Sequence, residues 1–239
     1  NSPAGITGIT DVLSWGSNPW QSLNNMFEGE TALTGFSATD APDLSTVTSL
    51  SGVFRGATAF NGDIDHWDVS NINSMRSTFQ DATSFNQSLN SWNVSGVLDM
   101  NRLFQGATSF NSGISSWNTS NATNLHSLFA GATAFNADIS SWNVSSANDL
   151  EFMFVNTSFN QDISGWNVSS ASTLRGMFIN NTAFNQDISG WNTSNVANMF
   201  RMFVGSSSFN QDLSGWDVSG VTDMTDMFNG SGLSTEKYN

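Results

Sequence analysis

"FNQDISGWNVSS" occupies residues 159–170, "FNQDISGWNTSN" residues 184–195 and "FNQDLSGWDVSG" residues 209–220. Near-identity at a fixed spacing is either a site written several times or one coil of something built by stacking. Counting outward favours the second. Trp stands at 67, 92, 117, 142, 166, 191 and 216, in steps of 25, 25, 25, 24, 25 and 25. Phe keeps the same phase at 54, 79, 104, 129, 154, 178, 203 and 228, and a second Phe does so at 60, 85, 110, 135, 159, 184 and 209. Three columns with one period identify a repeat array, in which each unit touches only its neighbours. The one short step falls between Phe154 and Phe159, where "VNTS" replaces five residues. It should tighten one coil and leave the register of the rest intact.

Within a unit, Ile163-x-x-Trp166-x-Val168 places Trp and Val two apart, which predicts a short strand with both pointing inward. Val196-x-x-Met199-x-x-Met202-Phe203 has spacings of three and four, which predicts a turn or two of helix. Ser194-Asn195 before that run is suitable helix-capping chemistry. Gly56, Gly106, Gly131, Gly205 and Gly230 follow the Phe, where a short helix should end. One unit therefore reads strand, turn, short helix, loop.

Composition limits the partners. Asp+Glu number 20 against 6 Lys+Arg, a net charge of -14, so phosphate backbones and anionic membranes should be repelled and no nucleic acid is expected. Cysteine is absent, and no run approaches the roughly 18 apolar residues of a membrane span, so no direct membrane insertion is expected. Nineteen Phe, nine Trp and nine Met supply enough apolar mass for a continuous core. The start at Asn1 reads as a mature or excised segment.

The string I-x-x-W-x-V-S-x-V-x-x-M-x-x-M-F has the rhythm of a leucine-rich repeat. With its "GATAFN" and W-N-V-S-x-V phrases, the chain resembles the BspA-like leucine-rich repeats, the 25–26-residue repeats of bacterial surface proteins and lipoproteins. That resemblance implies an α/β repeat solenoid: a right-handed coil with a parallel β-sheet on the concave face and short helices or turns on the convex face. It also implies display outside the cell and a role in adhesion or ligand binding. Residues 1–50 would be an N-terminal cap with degenerate first coils, 51–230 an array of about seven 25-residue repeats, and 231–239 the start of a truncated C-terminal cap.

Each conspicuous column has a structural and a functional reading. The Trp column sits inward, so it reads as core rather than as a sugar-stacking platform. The Asn after Phe (Asn61, Asn86, Asn111, Asn136, Asn160, Asn185, Asn210) reads as a turn ladder binding backbone groups of the next coil. Asp63, Asp138, Asp162, Asp187 and Asp212 read as turn caps; such an oxygen-rich column is also a candidate for calcium, and no other cofactor is expected. His66, flanked by Asp65 and Asp68, reads as a peripheral surface residue. His126 falls in the helical half without an evident partner. Two His, no Cys and one Lys assemble no nucleophile–base set, so no catalytic residue and no enzyme activity are expected.

The expected ligand face is the outward side of the Trp strand: Asp68, Asn93, Asn118, Asn143, Asn167, Asn192 and Asp217, with Ser145, Ser169 and Ser194. Its uniformity suits an extracellular glycan or protein surface, engaged by a non-catalytic adhesion module outside the cell or on its surface. The alternatives are a structural spacer that self-associates through the solenoid ends, and a binder of an ordered solid such as ice.

Overall fold

The computed structural model describes residues 8–234, so the ends of both proposed caps (1–7 and 235–239) lie outside the described residues. Its architecture is a stack of coils built almost entirely from turns. Parallel bridges run through Ser49, Ser74, Asp99, Asn124, Asp149, Thr173, Asn198 and Asp223 in order, one residue per coil. Among the described residues there is no helix, and no strand extends beyond these single bridges.

The coil that begins at Phe159 shows how the chain turns. The Trp166 N–H donates to the Ile163 carbonyl at 3.1 Å, Ala171 to Val168 at 2.9 Å, Met177 to Leu174 at 3.2 Å and Asn181 to Phe178 at 3.0 Å. Each bond closes a four-residue turn. In these four turns the first and last residues are buried, and most of the exposed surface lies between them. Spacing of three thus arises from consecutive turns rather than from a helix.

Two expectations are corrected by this geometry. The segment Ile163–Val168 is a turn, and the parallel ladder lies instead at Thr173, in the half expected to be helical. Helix is blocked there because two residues per coil are left-handed. Ser77, Arg102, Ser127, Phe152, Arg201 and Asp226 have φ between 55° and 58°, in one column with Gly52 and Gly176. Four residues on, Asp81, Asn156 and Asn180 share a second such column with Gly56, Gly106, Gly131, Gly205 and Gly230. Those glycines are members of the left-handed column and not helix ends. A positive φ interrupts any helix, and its cost to non-Gly residues is sustained by the surrounding hydrogen bonds.

Those bonds alternate. The Met199, Arg201, Phe203 and Gly205 N–H groups donate to Asp223, Thr225, Met227 and Asn229 of the next coil, at 2.8–3.0 Å. The intervening Met202 and Val204 N–H groups close turns within their own coil. Asn25, Phe27 and Gly29 already pair this way with Ser51, Val53 and Arg55, so the ladder begins inside the N-terminal region.

Two columns of stacked Phe rings run through the interior. Phe79 and Phe104, in successive coils, lie 5.4 Å apart with planes 3° from parallel. Within one coil, Phe104 and Phe110 stack at 3.9 Å. Such pairs contribute about 0.5–1.5 kcal/mol each beyond their burial. Trp67 and its equivalents are buried as expected, and the indole of Trp117 donates to the Leu89 carbonyl of the preceding coil at 2.8 Å. At the N-terminal end Trp15 packs edge-on against Trp20, Phe27, Phe36 and Trp67. The Asp40 carboxylate fixes it there by accepting the Trp15 N–H at 3.0 Å.

The short coil behaves as its sequence predicts. Asn136 Oδ1 accepts the Asn160 N–H at 2.8 Å across 24 residues, and Asn160 Oδ1 accepts the Asn185 N–H at 2.9 Å across 25. The missing residue is absorbed locally, and the ladder continues from Asp149 to Thr173.

Candidate functional site

Up to three corners of a coil carry a side-chain oxygen that accepts the N–H two residues on; Gly113 leaves one such corner without it. In the coil of Phe159 these are Asp162 to Ser164 at 2.9 Å, Asn167 to Ser169 at 3.1 Å and Thr173 to Arg175 at 3.3 Å. Asp, Asn, Ser and Thr are the residues that can do this, which explains three columns at once. The Asp138, Asp162 and Asp187 carboxyls are held below the usual carboxylate range by backbone and side-chain hydrogen bonds from Ser140, Ser164 and Ser189.

The expected ligand column belongs to this set. Asp68, Asn93, Asn118, Asn143, Asn167, Asn192 and Asp217 are exposed, and each cap oxygen accepts the N–H of Ser70, Ser95, Ser120, Ser145, Ser169, Ser194 or Ser219. They line a row of turn corners and not the outward side of a strand. Asn61 to Asn210 form the expected ladder, in which each Oδ1 accepts the backbone N–H of the next Asn at 2.7–2.9 Å. His66 is exposed, while Asp65 accepts from Ser91 and Asp68 caps Ser70.

Variation in charge and size is greatest beside the bridges. Two residues after each bridge stand Arg76, Asn101, His126, Glu151, Arg175, Phe200 and Thr225. The left-handed column beside it adds Arg102, Phe152, Arg201 and Asp226. Four of the five arginines of this acidic chain therefore fall in two adjacent columns, and Arg55, the fifth, lies on the same ladder segment, against Glu28.

These side chains interlock. The Arg175 guanidinium lies 5.2 Å from the centre of the Phe152 ring and 5.4 Å from that of Phe200. Arg201 stacks over Phe200 at 4.7 Å and pairs with Asp226 at 3.2 Å. Phe152 rests on Gly176 of the next coil, where a Cβ would lie 2.4 Å from the ring. His126 meets the edge of Phe152 at 5.7 Å and, contrary to the sequence reading, has partners: its Nδ1 is 3.4 Å from Asp149 Oδ2 and 3.8 Å from Glu151 Oε2. Partial burial pushes the Asp149 carboxyl up, but hydrogen bonds from His126 and the Glu151 N–H, with the charge of His126, hold it below its ordinary value. Further along, Asn101 Oδ1, Arg102 Nε and Gln105 Oε1 are buried without a hydrogen-bond partner. Aligning the coils on the Met column would have exposed this variable column from sequence. Placing a helix there hid it.

Stacked, turn-built coils around an aromatic core define a repeat solenoid. The chain belongs to the family described as "Mycoplasma protein of unknown function, DUF285", whose model matches residues 21–139, 89–172 and 125–238. Among solved structures it is similar to a leucine-rich repeat protein from Bacteroides ovatus ATCC 8483, at 10% identity over 87% of this chain and 79% of that one. The TM-score of 0.28 is too low to carry an argument about the fold, which rests on the coil geometry above. No curated protein matches the chain.

Proposed function

We propose that the chain is a non-catalytic binding module, displayed outside the cell, that engages a protein or glycan surface through its ladder face. The supporting observation is the concentration of arginine, histidine and half-buried Phe in the columns beside the bridges, while the exposed row from Asp68 to Asp217 repeats Asp and Asn. Aromatic and Arg side chains are the groups that anchor interfaces, and repeat proteins bind on extended surfaces of this kind. The BspA-like resemblance supports the adhesion role and the location.

A second reading keeps the row from Asp68 to Asp217, with Ser145, Ser169 and Ser194, as the contact surface. Its exposure at identical positions in every coil favours a repetitive polysaccharide.

One experiment separates the two. The full chain is screened on glycan and extracellular-protein arrays, and the best hit is retested with two variants. Loss of at least tenfold in affinity with Arg175→Ala/Phe200→Ala, and little change with Asn143→Lys/Asn167→Lys/Asn192→Lys, supports the ladder face. The reverse outcome transfers the site to the Asn row. No hit on either array, or equal binding by both variants, contradicts the proposal.

A further inference from the structure

We infer that His126, Asp149 and Glu151 form a site for a first-row divalent cation of the Zn2+ type. The inference rests on the coil register and not on the ladder face being a partner surface. Residues 23, 25 and 2 apart in sequence converge because successive coils stack in register. One ligand atom from each lies within 4.8 Å of the other two. His126 Nδ1 is 3.4 Å from Asp149 Oδ2 and 3.8 Å from Glu151 Oε2. Two donors bound to one ion at about 2.1 Å in tetrahedral geometry lie about 3.4 Å apart, so small shifts would bring all three onto a shared metal.

The carboxylates are oriented for this. Asp149 Oδ1 accepts the Glu151 N–H at 2.9 Å, and Glu151 Oε1 accepts the Thr173 hydroxyl at 2.9 Å. One oxygen of each carboxylate is thus fixed by the protein, and the other faces the imidazole. Hydrogen bonds of this kind hold ligands in place at metal centres. The natural competitor for Glu151 is Arg175, in the same column of the next coil. Its guanidinium instead lies over Phe152 and Phe200, and among the described residues no ion pair joins it to Glu151. A mixed nitrogen–oxygen set with two carboxylates and one imidazole suits a borderline cation better than calcium, which takes oxygen ligands. Three protein ligands would leave a position open to solvent beside Phe152.

Titration calorimetry of ZnCl2 into the chelator-stripped full chain at pH 7.5 tests the assignment. It should show one saturable site per chain. Affinity should fall at least tenfold in His126→Ala and in Glu151→Gln, each confirmed folded by circular dichroism, and stay unchanged in His66→Ala. Visible ligand-field bands of added Co2+ should vanish with either of the first two variants, which keeps the test decisive if one of them does not fold. No saturable site in the wild type, or affinity unaffected by His126→Ala and Glu151→Gln, overturns the inference.

Discussion

At the scale of single residues, side-chain oxygens do much of the work that backbone ladders do in ordinary sheets. Asn136 illustrates it: its own N–H is bonded to Asn111, and its Oδ1 accepts the N–H of Asn160. Asn136→Ala leaves the Asn160 N–H unpaired at a coil junction. Urea unfolding should show a loss of about 1–3 kcal/mol, the usual cost of orphaning a partly buried donor. Asn143→Ala removes only an exposed cap and should cost no more than about 1 kcal/mol in the same assay. Gly176 tests the left-handed column. Its φ of 58° disfavours any side chain, and an added Cβ would meet the Phe152 ring. Gly176→Ala should destabilise by about 1–3 kcal/mol. Part of that should return in Gly176→Ala/Phe152→Ala, because the two residues touch and their effects are not additive. The inward Trp and the Asn ladder were legible in the sequence, since each repeats with the period and has one sterically sensible place.

At the scale of the coil, what sequence reasoning misjudged was local conformation and not repetition. A turn that buries its first and last residues reproduces the helical spacing of three, and Trp166 with Val168 reproduces the strand spacing of two. Neither spacing reports φ, and φ decides. The left-handed column of Gly176 carries Ser, Arg, Phe or Asp more often than Gly, so composition gave little warning. The cluster around His126 was hidden for a related reason: its members meet only across coils, and only once the ladder is placed at Ser74 and Asp99 rather than beside Trp. The coil itself is the modular unit. Excising residues 111–135 removes one complete period and joins Phe110 to Asn136 in register. That variant should fold cooperatively with a proportionally smaller urea m-value. Excising 111–122 instead breaks the register and should abolish the cooperative transition in circular dichroism.

For the whole molecule, the Asp caps give stability a pH dependence of known sign. Asp43, Asp68, Asp138, Asp162, Asp187, Asp217 and Asp223 all have carboxyls lowered by the hydrogen bonds of the folded turns. A lowered folded value means stability that is fully present above the unfolded carboxylate value of about 3.9 and is lost as pH falls through the folded values. Thermal melts should therefore be nearly flat from pH 7 to about pH 5 and drop steeply below about pH 4. A melting temperature that rises on acidification would mean that relief of the -14 net charge outweighs the caps.

The ladder's position underlies both the proposed binding face and the inferred cation site, and residue-resolved amide hydrogen exchange tests it most directly. The N–H groups of Met75, Ser77, Phe79 and Asp81, which cross to Asp99, Asn101, Leu103 and Gln105, should be among the slowest to exchange. Those of Asn93, Asn118 and Asn143, at exposed corners beside Trp, should exchange quickly. Strong protection in the Asn93 row, with rapid exchange from Met75 to Asp81, would put the ladder at the Trp segment and contradict the account.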